Sequence, residues 1–205
     1  MTALDERRIE MAENSDERTL DEMFQWLESA PEGFKVEIVE GAVFMSPQRG
    51  NHWQIIADIY EQLREKYPRK RVKSDVRVDY PGHLNGFASD VTAMAEGAAK
   101  TDDGRWRHQD VEFVAEVISK GTGQNDYGPK KRAYATAGVP VYFVADPYQR
   151  KCHLYTDPSD GDCTSDTIVT FGKDVDLTKT PVGLTLTTAG LPPRVTSDGP
   201  EITVS

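Results

Sequence analysis

The run VEFVAEVIS, residues 111–119, is apolar on both faces of an extended chain, with one carboxylate, Glu116, set inside it. A strand apolar on both faces must be covered on both faces, so it belongs in the middle of a sheet with other elements packed above and below. An ionised carboxylate in such a place is costly unless it is paired, hydrogen-bonded or bound to a metal. Glu116 therefore needs a partner.

The surrounding pattern supplies the elements. Leu20, Met23, Phe24 and Leu27 recur at helical spacing, with Ser15 or Asp16 as caps and Pro31 beyond the end. FKVEIVEGAVFMSP alternates around an EG pair and reads as a hairpin. Residues 52–67 place Ile55, Ile56, Ile59 and Leu63 on one helical stripe before Pro68. RVKSDVRVDY and FASDVTAMAE then read as two strands joined by the turn PGHLNG. After the apolar run, Asn125 or Asp126 is expected to cap a helix that accepts Pro129 in its first turn and stops at Gly138. VYFVAD and CHLYT follow as strands, DPSDGDCTSD reads as a loop, and TIVTFG as a strand. The order predicts an α/β (α+β) fold, a mixed sheet with helices packed on it.

The 205 residues suit a single domain over 16–190, with a flexible acidic N-terminus over 1–15 and a disordered tail over 191–205. No apolar signal core and no membrane-spanning run is present, which predicts a soluble cytoplasmic protein without a membrane partner. Two cysteines, Cys152 and Cys163, are too few for a disulfide framework, and His153 beside Cys152 has no second spaced pair to make a zinc site.

The formal net charge of -10 argues against tight sequence-independent binding of nucleic acid. Its distribution softens the point. Residues 1–22 and 157–205 each carry -5, so the segment between them is neutral. Within that segment REKYPRKRVK, residues 64–73, holds six basic residues and one acidic one, either a local positive patch or a solvated helix end.

Three carboxylates lie in apolar strands: Glu37 in FKVEIVEG, Asp90 in FASDVTAM, and Glu116. On strands of one sheet they could converge on a hard divalent cation, which takes oxygen ligands and keeps waters for a substrate, so metal-assisted hydrolysis is the indicated chemistry. Any one of them alone is more readily an exposed edge residue. Asp75 is set aside because Lys73 and Arg77 make its strand face look solvated. Hydrolysis of a phosphodiester also calls for a lysine near the developing charge. The same-face position two residues after Glu116 is Ile118, which leaves two candidates. Lys120 lies about 13 Å further along an extended strand. Lys130 shares one helix face with Asp126 and Tyr134 by i, i+4 spacing.

The succession VEIVEG, SPQRGNHWQ, FASDV and VAEVISKGTGQNDYGPKKRAYATAGVPVYFVADP resembles the Uma family of bacterial restriction-endonuclease-like proteins, within the PD-(D/E)XK nuclease superfamily. The likeness spans roughly residues 20–156, with a weaker echo in VGLTLTTAGLP. It implies a restriction-endonuclease-like core, with Glu37, Asp90 and Glu116 as acidic metal-site residues for Mg2+ or Mn2+. It also implies that the signature lysine has moved from strand to helix, which selects Lys130, and it adds His52 to the catalytic set. The chain departs from the family pattern at Ser89, where a Pro usually precedes the site aspartate, and at Val141 and Phe143 in PVYF. The implied activity is an endonuclease with DNA as substrate. The alternative is a non-catalytic nuclease-fold module for binding or assembly, a homodimer being one form.

Overall fold

The structure, a computed structural model, describes residues 16–28, 34–47, 50–119 and 123–192. Helix α1 (Asp16–Leu27) is followed by the hairpin β1 (Phe34–Val39) and β2 (Ala42–Pro47), then by α2 (Gly50–Leu63). Next come β3 (Val72–Lys73), β4 (Val76–Tyr80), β5 (Asn85–Ser89), β6 (Val91–Met94), β7 (Trp106–Arg107) and β8 (Val111–Val117). The remainder is α3 (Gly123–Tyr127), α4 (Pro129–Thr136), β9 (Val141–Asp146), β10 (Lys151–Ser159), β11 (Asp162–Thr170), β12 (Asp174–Asp176) and β13 (Thr185–Thr187).

These strands form two main sheets, ordered β11-β10-β9-β8-β6-β3 and β2-β1-β5-β4-β7. The apolar run is a central strand as its composition requires. β8 pairs antiparallel with β6 and parallel with β9, and α3 and α4 supply the crossover that a parallel pair needs. The larger sheet is therefore mixed. Alternation along β8 sends Phe113, Ala115 and Val117 into one core with Ile55, Ile56, Ile59 and Leu63 of α2. Val114 and Ile118 face the opposite core with Ala133 and Tyr134 of α4. Burying each aliphatic side chain of the α2 stripe contributes about 1.5–3 kcal/mol, more than any intrinsic helix preference, so packing fixes this helix.

Three sequence expectations change. FASDVTAM and RVKSDVRV are each broken where the chain crosses from one sheet to the other: β5 and β4 pair in the smaller sheet, β6 and β3 in the larger. Asp90 and Asp75 occupy these crossings, Asp75 with φ 54°. The polar stretch DPSDGDCTSD is a hairpin rather than a loop. β10 and β11 turn at Asp160 and Gly161, both at positive φ (50° and 78°), the geometry that an Asp-Gly pair favours. Finally, the helix after the apolar run is two pieces split at Gly128, and Asp126 lies inside α3 rather than capping it. Gly138, φ 71°, ends α4 as expected. Ser15, Lys120, the N-terminal segment and residues 193–205 lie outside the described residues. Among the described residues no helix is long and apolar enough to cross a membrane.

Candidate metal centre

Both edges of the crossing converge on Glu116. Val114 of β8 faces the α4 side, so Glu116, two residues on, points toward that helix, and the pairing of Val91 with Ala115 sets Asp90 beside it. The Asp90 N–H, freed from the ladder by the crossing, lies 3.4 Å from Glu116 Oε2. Glu37 arrives from β1 in the other sheet, so the three carboxylates come from two sheets and their junction rather than from one sheet. A pocket of about 300 Å3 opens over them, lined also by Lys35, His52 and Lys130.

Asp90 and Glu116 are each held by an inner oxygen and turn the other outward. Asp90 Oδ2 accepts from the Val117 N–H at 2.7 Å and lies 3.1 Å from His52 Nε2, in the first turn of α2. Glu116 Oε1 accepts from Tyr134 Oη at 2.7 Å and pairs with Lys130 Nζ at 2.7 Å. The outward oxygens, Asp90 Oδ1 and Glu116 Oε2, share a single cation. It is the ammonium of Lys35, 2.8 Å from the first and 3.4 Å from the second.

Lys130 is only 2% exposed and makes the i, i+4 pair with Asp126. Its Nζ lies 3.0 Å from Asp126 Oδ1 and 3.1 Å and 3.2 Å from the two Glu37 oxygens. Glu37 thus meets the other carboxylates through the lysines, and its Oε1 also accepts from the Ala88 N–H at 3.2 Å. Ser89, where the family pattern has Pro, places its hydroxyl 2.8 Å from Tyr134 Oη and so supports the tyrosine that holds Glu116. Val141 and Phe143 are buried in β9, with Phe143 stacked on Phe113, remote in role from the charged cluster. Asp75, set aside from sequence, lines the pocket.

The cluster is short of positive charge. Glu37, Asp90, Glu116 and Asp126 place four carboxylates around the ammonium groups of Lys35 and Lys130. Burial raises the carboxyl groups of Glu37 and Asp126, the latter to about 7 even with Lys130 beside it. Burial acts the same way on Asp90, but Lys35 and His52 outweigh it and hold that carboxyl well below the usual range. Burial would lower Lys130, yet Asp126, Glu116 and Glu37 together raise it.

A carboxyl raised from 3.8 to about 7 stabilises the fold only while it carries its proton, so this contribution is full below pH 3.8 and lost as pH rises through about 7. Asn does not titrate. The stability of Asp126→Asn relative to the unmodified protein should accordingly increase by about 1–3 kcal/mol between pH 5 and pH 8, measured by urea unfolding at each pH. A difference independent of pH would contradict this charge balance.

Lys35 escaped the sequence reading although a signal was present. It stands two residues before Glu37 on the same strand face, the very spacing that fails at Ile118 for Glu116. The basic run 64–73, by contrast, is partly absorbed by structure. Arg71 pairs with Glu112 at 3.0 Å and donates to the Met94 carbonyl, and Lys66 donates to the Pro181 carbonyl, whereas Arg69 and Lys70 are exposed.

A model of the Uma2 family, described as "Putative restriction endonuclease", matches residues 20–189. The chain belongs to that family. A solved structure titled as a "putative nuclease belonging to DUF820" from Anabaena variabilis superposes with a TM-score of 0.64 at 14% identity, covering 84% of this chain and 96% of that one. At that identity the likeness shows a shared fold, and the fold is the restriction-endonuclease-like one that the family membership carries. No curated protein matches the chain.

Two anchored carboxylates aim one outward oxygen each at a common cation, a set that a hard divalent ion accepts when water completes its shell. Among the described residues, however, no group of three or more His, Cys, Asp and Glu side chains is arranged to hold a metal ion. The fit is therefore a two-carboxylate one, centred where Lys35 now sits.

Proposed function

We propose that this family member is a metal-dependent endonuclease that hydrolyses DNA phosphodiester bonds, with Asp90 and Glu116 holding Mg2+ or Mn2+. The observation that carries the reading is the shared ammonium of Lys35, which marks a point where two buried carboxylates already converge on positive charge. The charge deficit supports it, because a divalent cation would match the excess of carboxylates over lysines. Bound there, the ion would polarise a phosphoryl oxygen and lower the pKa of an attacking water. Lys130 would stabilise negative charge on the phosphate or orient the water, with Glu37 and Asp126 fixing its ammonium. His52 and Tyr134 would keep the two ligands aimed. DNA as substrate rests on the family's description as a restriction endonuclease.

A second reading has its own observation. Without a ready group of three metal ligands among the described residues, and with Lys35 in the cation's place, the arrangement as it stands suits a non-catalytic nuclease-fold module better than a loaded enzyme. Such a module would bind or assemble, for example as a homodimer, and would use its lysines only to neutralise the cluster. Purified protein incubated with duplex, single-stranded and branched DNA in Mg2+ or Mn2+ separates the two readings. The hydrolytic one expects cleavage that EDTA abolishes. Intact substrates throughout, from folded protein, would leave the module.

A further inference from the structure

We propose that Lys35 is a built-in competitor for the metal position, an ammonium that a divalent cation must displace before Asp90 and Glu116 can bind it. The inference rests on the metal-dependent reading above and adds to it what controls loading. Lys35 Nζ occupies the convergence of the two outward oxygens, at 2.8 Å and 3.4 Å, so ammonium and metal exclude one another there. A ligand that needs one state of a site loses apparent affinity in proportion to how rarely that state is populated.

The displaced ammonium has a partner in reach. Glu37, two residues on and on the same strand face, holds Oε1 3.6 Å from Lys35 Nζ in the present arrangement. Lys35 and Glu37 line the same pocket. Lys130 plays a different part, since it pairs with the inner oxygen of Glu116, with Glu37 and with Asp126 but not with Asp90. Removing Lys35 should free the metal position. Removing Lys130 should only disturb its support.

Calorimetric titration with Mn2+ compares the unmodified protein, Lys35→Met, Lys35→Arg and Glu116→Gln, each checked for folding by circular dichroism. Lys35→Met should bind Mn2+ about tenfold or more tightly than the unmodified protein, Lys35→Arg close to it, and Glu116→Gln not at all. Glu116-dependent binding in the unmodified protein that Lys35→Met does not tighten would overturn the role of Lys35 and leave the metal reading intact. Absence of Mn2+ binding in both would overturn the metal reading, and this inference with it. Should Lys35→Met not fold, the unmodified protein carries the test. Mg2+ should increase labelling of Lys35 by an amine-reactive reagent, read by peptide mass spectrometry, because the ammonium leaves its pairs with buried Asp90 and Glu116 for the less buried Glu37. With Mg2+ binding established by calorimetry, unchanged labelling would overturn the proposal.

Discussion

Lys130→Met is expected to lower the unfolding free energy by about 3–5 kcal/mol, the cost of breaking a buried ion pair by removing one partner. Methionine nearly fills the space of the lysine stem, so packing loss is small and the effect isolates the charge. Without the ammonium, Glu37, Glu116 and Asp126 lose the cation they share at 2.7–3.1 Å and must take up protons or admit water. Urea unfolding at pH 8 measures the loss. Lowering the pH to 5 should restore part of it, because protonation then relieves the carboxylates. A cost below about 1 kcal/mol, the range of an exposed pair, would mean that Lys130 is solvated and does not act as the buried counter-charge of Glu37, Glu116 and Asp126.

The second large effect concerns catalysis. On the proposed hydrolytic reading, Asp90→Asn and Glu116→Gln, which keep shape but remove one anionic group each, should each reduce metal-dependent DNA cleavage by about a thousandfold or more. A metal's stabilisation of transition-state charge is worth several kcal/mol, and about 1.4 kcal/mol is tenfold in rate. Tyr134→Phe removes only the hydroxyl that holds Glu116 Oε1, so its loss should be smaller, about tenfold to a hundredfold, the range expected for a group that orients a ligand. Initial rates on labelled duplex DNA give the comparison. If Asp90→Asn and Glu116→Gln cut as fast as the unmodified protein, the activity does not arise at this site.

Much of this architecture is legible in the sequence because its signals are local. The two-faced run of β8, the α2 stripe, the β1–β2 hairpin and the stop at Gly138 each follow from periodicity or a backbone preference. The Asp126, Lys130, Tyr134 stripe is equally local, and it forms the helix side of the site. What escaped is non-local. Nothing in FASDVTAM marks that Ser89 pairs in one sheet and Val91 in another, yet that crossing releases the Asp90 N–H toward Glu116. Composition misled at DPSDGDCTSD, since a hairpin with both faces largely solvated has no apolar alternation to reveal it, although its Asp-Gly turn was readable. Lys35 shows a third limit. Its spacing from Glu37 was visible, but only the approach of the two sheets turns that lysine onto Asp90 and Glu116.

A crystal of the protein soaked in Mn2+ and measured at the manganese absorption edge shows whether a metal ion or Lys35 holds the point between Asp90 and Glu116. One anomalous peak is expected beside Asp90 Oδ1 and Glu116 Oε2, with the Lys35 ammonium moved toward Glu37 and Lys130 still on Glu116. Density showing Lys35 unmoved between the two carboxylates, with no manganese in the pocket at saturating concentration, would contradict the proposed metal position.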